Sequence, residues 1–237
     1  MKKNLSGSEV KDSSRKLIIV PESVSYSDAE IRDKLLKLDK TFCIVKNGGS
    51  IGVCLKEDAD ESTSGLSMSL LAKALPLKTT QLGDPEFIKF HGLRMAYMTG
   101  SMANGIASEN LVISSGKFGL LSSFGAAGLL PSIIEQAINN IQKALPEGPY
   151  AFNLIHSPSE DAIEKAAVDL YLKYRVRTVE ASAFLGLTPN IVRYRVAGLR
   201  RNSQNQVEIT NRVIAKISRA EVASKFMAPA PEAILNK

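Results

Sequence analysis

The stretch MAYMTGSMANGIASENLVISSGKFGLLSSFGAAGLLPSIIEQAINNIQKAL, residues 95–145, decides how this chain folds. A short apolar run at 95–99 is followed by a loop of small residues at 100–105. Ser108 then stands where a helix N-cap is expected, just before a new apolar run. Gly116 is expected to end that helix. These residues predict a strand, a loop and a helix in succession.

The same order is repeated immediately afterwards. Residues 118–123 predict a second strand, 124–128 a second small-residue loop, and Pro131 the start of a second helix. The apolar residues of that helix recur at helical spacing: Ile133, Ile134, Ala137, Ile138, Ile141 and Leu145. Two consecutive β-loop-α units are therefore predicted, and function is to be sought in their loops.

The rhythm continues to the end of the chain. Strands are predicted at residues 95–99, 120–123, 150–154, 176–181 and 213–217. Later helices are predicted at 159–174, at 188–198, and after a capping box formed by Ser218 and Glu221. Repeated βα units at this spacing predict an α/β fold with an all-parallel sheet, either doubly wound or a barrel.

The glycine pattern helps to choose between these two folds. The first βα turn has no Gly-x-Gly-x-x-Gly fingerprint, and the chain has no P-loop, so the barrel is favoured by elimination. In either fold, ligands bind at the carboxyl ends of the strands. The small residues there either admit a flat cofactor or simply make tight turns, and spacing alone leaves both interpretations open.

The first part of the chain carries no recognisable chemistry. We expect a disordered terminus at 1–15, a small α+β cap or docking segment at 16–92, and a barrel segment at 93–237. Within the cap segment, we expect a helix at 27–38, a hairpin of strands 42–45 and 51–55, and a loop at 58–69. Cys43 and Cys54 have no metal-ligand spacing and are expected to be buried in neighbouring strands.

Composition bounds the function further. The 237 residues include 44% hydrophobic ones but no run of membrane-spanning length and no signal-peptide core, so we expect a cytoplasmic protein. The net charge of +6 is concentrated late, in an arginine-rich segment at 188–225. A solvated surface is the favoured interpretation, although an acidic partner or phosphate groups would also fit. No nucleic-acid-binding motif accompanies this charge.

Four ordered motifs resemble a known family. They are AYMTGSMANGIAS at 96–108, SSFGAAGL at 122–129, PYAFNLIHSP at 149–158 and VEASAF at 179–184. Together they resemble the PfaD-type enoyl reductases, which act in trans with polyketide and polyunsaturated fatty acid synthases and are grouped with the nitronate monooxygenases. The resemblance extends from about residue 75 to the last residue.

The resemblance implies an FMN-containing (β/α)8 barrel that uses NADPH to reduce an enoyl thioester held on an acyl carrier protein. The flavin would supply the redox chemistry, and the protein would hold and polarise it. The residues that match the family's flavin-contacting positions are Met102, Ala103, Asn104, Gly125, Ala126, Asn153, Glu180, Ala181 and Ser182. No metal site is implied.

Three further residues require separate treatment. His156 follows the third predicted strand, where it can donate a proton or bind the thioester carbonyl, or can instead have a structural role. His91 precedes the first barrel strand and is discounted. Lys216 lies in the fifth strand, where an ordinary strand-end lysine is the favoured interpretation.

The number of residues after Gly92 is too small for a complete barrel. A (β/α)8 barrel needs about 250 residues, whereas 145 follow Gly92, enough for about five units. We therefore expect an incomplete barrel, the amino-terminal part of the reductase, that is inactive alone. The alternatives are half of a split enzyme completed by a second chain, a nitronate monooxygenase-like flavin oxidoreductase, and a non-catalytic module that docks an acyl carrier protein or synthase.

Overall fold

The computed structural model describes residues 16–60 and 65–235 of the chain. The chain divides into two units, Met1–Gln81 and Leu82–Lys237. The predicted boundary after residue 92 lies eleven residues further along the chain. The predicted disordered terminus at 1–15 falls outside the described residues.

The first unit contains an antiparallel sheet of four strands. They are β1 (Lys16–Ile19), β2 (Phe42–Asn47), β3 (Ser50–Leu55) and β4 (Leu66–Ala74), arranged in the order β1-β4-β2-β3, and the helices are α1 (Asp28–Leu35) and α2 (Lys56–Asp60). Asn47 pairs with Ser50 across a two-residue turn, which confirms the predicted hairpin. Cys43 lies opposite Cys54, and both are buried, as predicted.

The predicted loop at 58–69 is wrong, because α2 and the start of β4 occupy part of it. From Leu66 to Leu70, serines alternate with apolar residues, which is the period of a half-buried strand. Met68 is buried in the core of this unit, with Leu70 packed against it. The serine content concealed a strand that pairs with both β1 and β2.

The second unit is built on five parallel strands. They are β5 (Met98–Thr99), β6 (Leu121–Phe124), β7 (Ala151–Ile155), β8 (Thr178–Ser182) and β11 (Arg212–Ala215), arranged in the order β11-β8-β7-β6-β5. All five predicted strands are therefore confirmed. Each of these strands pairs with the next parallel strand along the chain. In a doubly wound sheet the strand order would instead change direction at one point within the sheet. The sheet is an incomplete TIM-type barrel of five strands.

The helices of the second unit alternate with these strands. They are α3 (Pro85–His91), α4 (Glu109–Lys117), α5 (Pro131–Ala144), α6 (Asp161–Lys173), α7 (Pro189–Val196), α8 (Ala220–Met227) and α9 (Glu232–Leu235). On α5 the predicted apolar face is confirmed, with Ile134, Ala137, Ile138 and Ile141 all buried. In the part of the chain that the structure describes, no helix has the length and apolar character needed to cross a membrane.

Two predicted helix ends are wrong. Gly116 lies inside α4 rather than after it, and a Cβ there would come within 2.4 Å of Leu145 Cδ1, so the glycine permits close packing on that residue. At α8 the N-cap is Arg219 instead of Ser218, and the described residues offer no side-chain cap. Arg219 forms an ion pair with Glu221 instead.

Sequence reasoning also missed an antiparallel hairpin between α7 and β11. Its strands are β9 (Leu199–Arg201) and β10 (Val207–Ile209), each three residues long. All three residues of β9 are exposed, and the apolar-polar alternation of β10 is only three residues long, so neither strand gave a clear signal.

Candidate functional site

The loops that follow β5 and β6 form one backbone layer at the carboxyl ends of the strands. Asn104 N–H donates to Ala127 O at 2.8 Å, and Gly105 N–H donates to Gly125 O at 2.9 Å. In the other direction, Gly125 N–H donates to Ala107 O at 3.0 Å. These reciprocal bonds hold the two loops in a fixed relative position.

Glycine is required where the loops touch. A Cβ on Gly125 would lie 1.7 Å from the carbonyl oxygen of Met102, and one on Gly128 would lie 2.1 Å from Asn104 Oδ1. Gly128 also has a φ of 80°, which disfavours other residues. The glycines of the second loop thus permit the close approach of the first loop.

The first loop presents an exposed surface to solvent. Met102 is 44% exposed, and Ala103 and Asn104 are also exposed. Gly125 and Ala126 are buried below this surface, so the second loop supports the first. Among the described residues, no hydrogen-bond acceptor faces the N–H groups of Met102 and Ala103. The surface therefore offers two backbone donors for a ligand.

Glu180, at the end of β8, is the charged centre of this region. Its side chain is 3% exposed, and it accepts a hydrogen bond from Ser101 N–H at 2.8 Å. Lys216 Nζ lies 2.9 Å from Glu180 Oε1 and is half-exposed. Burial raises the pKa of Glu180, but the bonds from Lys216 and Ser101 outweigh that effect and hold this pKa below its usual value. Glu180 is therefore an anchor, held as a carboxylate, that ties the first loop to β8.

Lys216 has a more specific place than the sequence indicated. Its backbone N–H donates to Ala181 O at 2.9 Å, so it continues the line of β11 alongside the end of β8. Its ammonium then reaches Glu180 rather than projecting into solvent alone. A cation therefore stands at the same strand ends as the exposed loop.

Asn153, at the centre of β7, is buried and fully oriented by its neighbours. Its Nδ2 donates to Ser182 Oγ at 2.8 Å and to Glu180 O at 3.2 Å. From the other side, Tyr171 O–H donates to Asn153 O at 2.5 Å. Asn153 and Ser182 thus connect β7 to β8 beneath the surface of the loops, and Ala181 is buried in the same layer.

His156 follows β7 and is held by a buried carboxylate. Its Nδ1 donates to Glu164 Oε2 at 2.8 Å, and its ring stacks on Phe184 with centroids 5.2 Å apart. Glu164 is 1% exposed and also accepts a hydrogen bond from the Thr188 hydroxyl. The bond to Glu164 leaves Nε2 as the ring nitrogen for any further partner.

Sequence reasoning missed Glu164, although a signal was present. Glu164, Val168 and Tyr171 are spaced at i, i+4 and i+7, which is the buried stripe of α6. A carboxylate in such a stripe needs a partner, because a buried unpaired charge is costly. The histidine that supplies the partner comes from a different element, so the pairing was not visible in the sequence.

A cavity of about 400 Å³ lies beside these loops, between α5 and α6. Its walls are mostly apolar, with Asn153, Glu160 and Glu164 as polar members; the larger aliphatic residues are Leu129, Leu130, Ile134, Ile155, Ile163 and Leu170. Among the described residues, no cluster of His, Cys, Asp or Glu can hold a metal ion. Apolar walls with a few polar groups are typical of a site for an organic ligand.

Part of the charge of the arginine-rich late segment is compensated within the chain. Arg193 pairs with Asp169 at 2.6 Å, and Arg200 pairs with Glu208 at 2.6 Å. Arg195 donates to the carbonyl of Asn211 at 2.6 Å. These partners reduce the charge that this segment can offer to an acidic protein.

Comparisons with known proteins give a consistent result. The chain is 52% identical over 162 residues to one component of the polyunsaturated fatty acid synthase of Thraustochytrium sp., covering 68% of this chain and 11% of that protein. It is 47% identical over 214 residues to another component of the synthase from the same organism, covering 90% of this chain and 10% of that protein. The chain thus spans about a tenth of these relatives. No protein-family model matches it.

A solved structure shows the same fold. The enoyl reductase domain of MlnA, from the macrolactin biosynthesis cluster of Bacillus amyloliquefaciens, is 39% identical and superposes with a TM-score of 0.64. The match covers 67% of this chain and 36% of that one.

Proposed function

We propose that the second unit of this chain, which belongs to the PfaD-type enoyl reductase family, forms part of an FMN-dependent enoyl reductase. The reductase would use NADPH to reduce an enoyl thioester on an acyl carrier protein during polyketide or polyunsaturated fatty acid synthesis. One observation carries the proposal: an exposed loop with free backbone donors lies at the strand ends that also hold Lys216.

The residues present fit a flavin. Met102, Ala103 and Asn104 offer a surface on which a planar ring can lie, and the first two have N–H groups available for its polar edge. Gly125, Ala126, Asn153, Ala181 and Ser182 act as a support below that surface. When bound, FMN would supply hydride transfer between NADPH and the β-carbon of the substrate.

The chain's own residues would contribute electrostatics. The Lys216 ammonium and the N–H groups of Met102 and Ala103 would stabilise negative charge at the flavin's polar edge, because fixed donors act strongly where water is excluded. Glu180 keeps Lys216 and the first loop in position. Glu180 is thus a positioning residue.

His156 would supply the proton or bind the thioester carbonyl through Nε2. Glu164 fixes the orientation of the ring, as a carboxylate does for a general acid or base. The apolar cavity between α5 and α6 suits an acyl chain, which needs apolar walls with few polar groups.

We further propose that additional strands complete the barrel. In the described residues, β5 and β11 each pair with one neighbour only, and a closed barrel leaves no open edge. The chain corresponds to 36% of the MlnA domain chain. The missing strands would come from a longer form of this polypeptide or from a second chain, and turnover would need them.

The test is a titration of the chain with FMN, followed by flavin fluorescence and by absorption at 350–500 nm. Asn153→Ala and Ala103→Trp are expected to weaken binding at least tenfold, because each disturbs the surface or its support. Asn139→Ala and Ala197→Trp are matched controls at exposed positions near the carboxyl ends of α5 and α7, towards the opposite end of the strands. Equal affinity of all four variants and the wild type would refute the placement.

The same titration has a second arm for the case in which the 237 residues alone bind no FMN. A chimera in which the MlnA domain supplies the strands after β11 then replaces the chain. NADPH-dependent reduction of an enoyl thioester by this chimera supports the proposal. A chimera that folds but takes up no FMN contradicts it.

A further inference from the structure

A second cavity lies at the opposite end of the parallel sheet. It has a volume of about 230 Å³ and is bordered by the end of α3 and by the segment 146–150. Leu121, Thr178 and Arg212 line it, and each stands at the amino end of its strand. The cavity is therefore on the other face of the barrel from the proposed flavin surface.

The walls of this cavity carry uncompensated positive charge. Lys89, Arg177 and Arg212 line it, and Glu147 is the one carboxylate among the described lining residues. Within residues 16–60 and 65–235, none of the three cations forms an ion pair, with Glu147 or with any other carboxylate. Arg193 and Arg200 nearby in sequence do have carboxylate partners.

Two buried polar atoms in these walls also lack a partner. Arg212 Nε and His91 Nδ1 are buried and form no hydrogen bond within the described part of the chain. His91 is only 8% exposed and lines the cavity. Leaving such a group unsatisfied costs about 1–3 kcal/mol, so each one calls for a partner from outside the chain.

The electrostatic consequences appear on the same residues. Burial, and then the charge of Arg212, lower the pKa of His91 to about 4. Burial, and then the charge of Arg177, lower the pKa of Arg212. The site thus disfavours positive charge as it stands, and an anion placed there would relieve that repulsion.

One of the cationic groups is also held in place by its neighbours. The Arg212 guanidinium lies 4.6 Å from the centroid of the Phe90 ring, and Arg212 N–H donates to Arg177 O at 2.8 Å. His91 packs against Phe87 with ring centroids 4.6 Å apart. Two neighbouring arginines, of which Arg212 is held against Phe90, suit a ligand with several oxygen atoms, because the planar guanidinium can bind two of them at once.

We propose that this cavity binds a small oxyanion, either inorganic phosphate or the phosphate group of a phosphorylated ligand. Arg177, Arg212 and Lys89 would neutralise its charge, and His91 would find in it the partner it lacks. The site is independent of the proposed flavin surface, since it lies at the other end of the strands. It would act as a ligand site of the barrel, separate from the redox chemistry.

The test is isothermal titration of the full chain with inorganic phosphate at constant ionic strength, in a buffer free of other oxyanions. We expect saturable binding that Arg212→Gln and Arg177→Gln each weaken about tenfold, because a charge-assisted hydrogen bond contributes about that much. Arg177 is exposed, so its variant should fold even if the other does not. Arg200→Gln, at an exposed arginine outside the cavity, is the matched control.

Two further arms sharpen the result. Titration with ADP distinguishes the source: tighter binding than inorganic phosphate assigns the site to a phosphorylated ligand, and weaker binding assigns it to the free ion. A flavin titration repeated with riboflavin, which carries no phosphate group, should be unaffected by Arg177→Gln, so the two proposals can fail separately. An absence of saturable phosphate binding, or equal weakening by Arg200→Gln, would overturn the assignment.

Discussion

Replacing Gly125 by alanine tests whether the two small-residue loops form one layer. The added Cβ would lie 1.7 Å from the Met102 carbonyl oxygen and 2.7 Å from the carbonyl carbon. Both atoms belong to the backbone, so no side-chain rotation relieves the clash. The first loop must therefore move away from the second by more than an ångström.

The cost has two parts. Overpacking of this kind typically costs about 1–3 kcal/mol. The displacement also strains two inter-loop bonds, Gly105 N–H to Gly125 O and Gly125 N–H to Ala107 O, and each contributes about 0.5–1.5 kcal/mol. We expect Gly125→Ala to lower the free energy of unfolding by about 3 kcal/mol and to weaken FMN binding in parallel.

Urea unfolding followed by circular dichroism measures this change. Gly100→Ala is the matched control, because its added Cβ would meet its nearest neighbour, Glu180 Oε1, at an ordinary 3.6 Å. We expect the control to stay within about 0.5 kcal/mol of the wild type. If Gly125→Ala is as stable as that control, the close contact between the loops is not a feature of the protein in solution.

Three other predictions follow from buried groups. Tyr171→Phe leaves the Asn153 carbonyl without its donor and should cost about 1–3 kcal/mol in urea unfolding, whereas Tyr26→Phe at an exposed tyrosine should be neutral. Glu180 has a lowered pKa, so its contribution to stability is present above about pH 4.5 and is lost as the pH falls through its folded pKa. Glu180→Gln should therefore flatten the acid side of a plot of unfolding free energy against pH. An unchanged acid side would contradict the role of Glu180 as an anchor. His91 has a pKa lowered from 6.5 to about 4, so as the pH falls the unfolded chain binds this proton before the folded chain does. The free energy of unfolding should therefore decrease by up to about 3 kcal/mol as the pH is lowered from 6.5 to 4. Thermal unfolding in phosphate-free buffer measures this fall, and His91→Phe should remove it.

Periodicity alone was sufficient for the main framework of the second unit. The apolar face of α5 and the short runs that became β6, β7 and β8 were predictable because burial on one side imposes a regular spacing. The strand β4 was missed because serines fill its other face, and the hairpin of β9 and β10 because its residues are mostly exposed.

The site was less predictable than the fold. The loop at 100–105 was singled out by its place after a predicted strand, but the flavin-contacting roles of Met102, Ala103 and Asn104 came only from the family resemblance. The pairs Glu164 with His156 and Glu180 with Lys216 join residues on different elements, and their contacts depend on how the chain folds. Which of the glycines permit a close approach likewise became visible only when the neighbouring loop was in place.

Hydrogen–deuterium exchange with and without FMN, on the chain or on its completed barrel, tests whether the first loop is the surface that binds the flavin. The N–H groups of Met102 and Ala103 have no acceptor within the described residues, so they should exchange rapidly without ligand. We predict that FMN slows exchange at residues 101–104 in particular. Protection confined to other segments, or a flavin that binds without slowing exchange there, would contradict it.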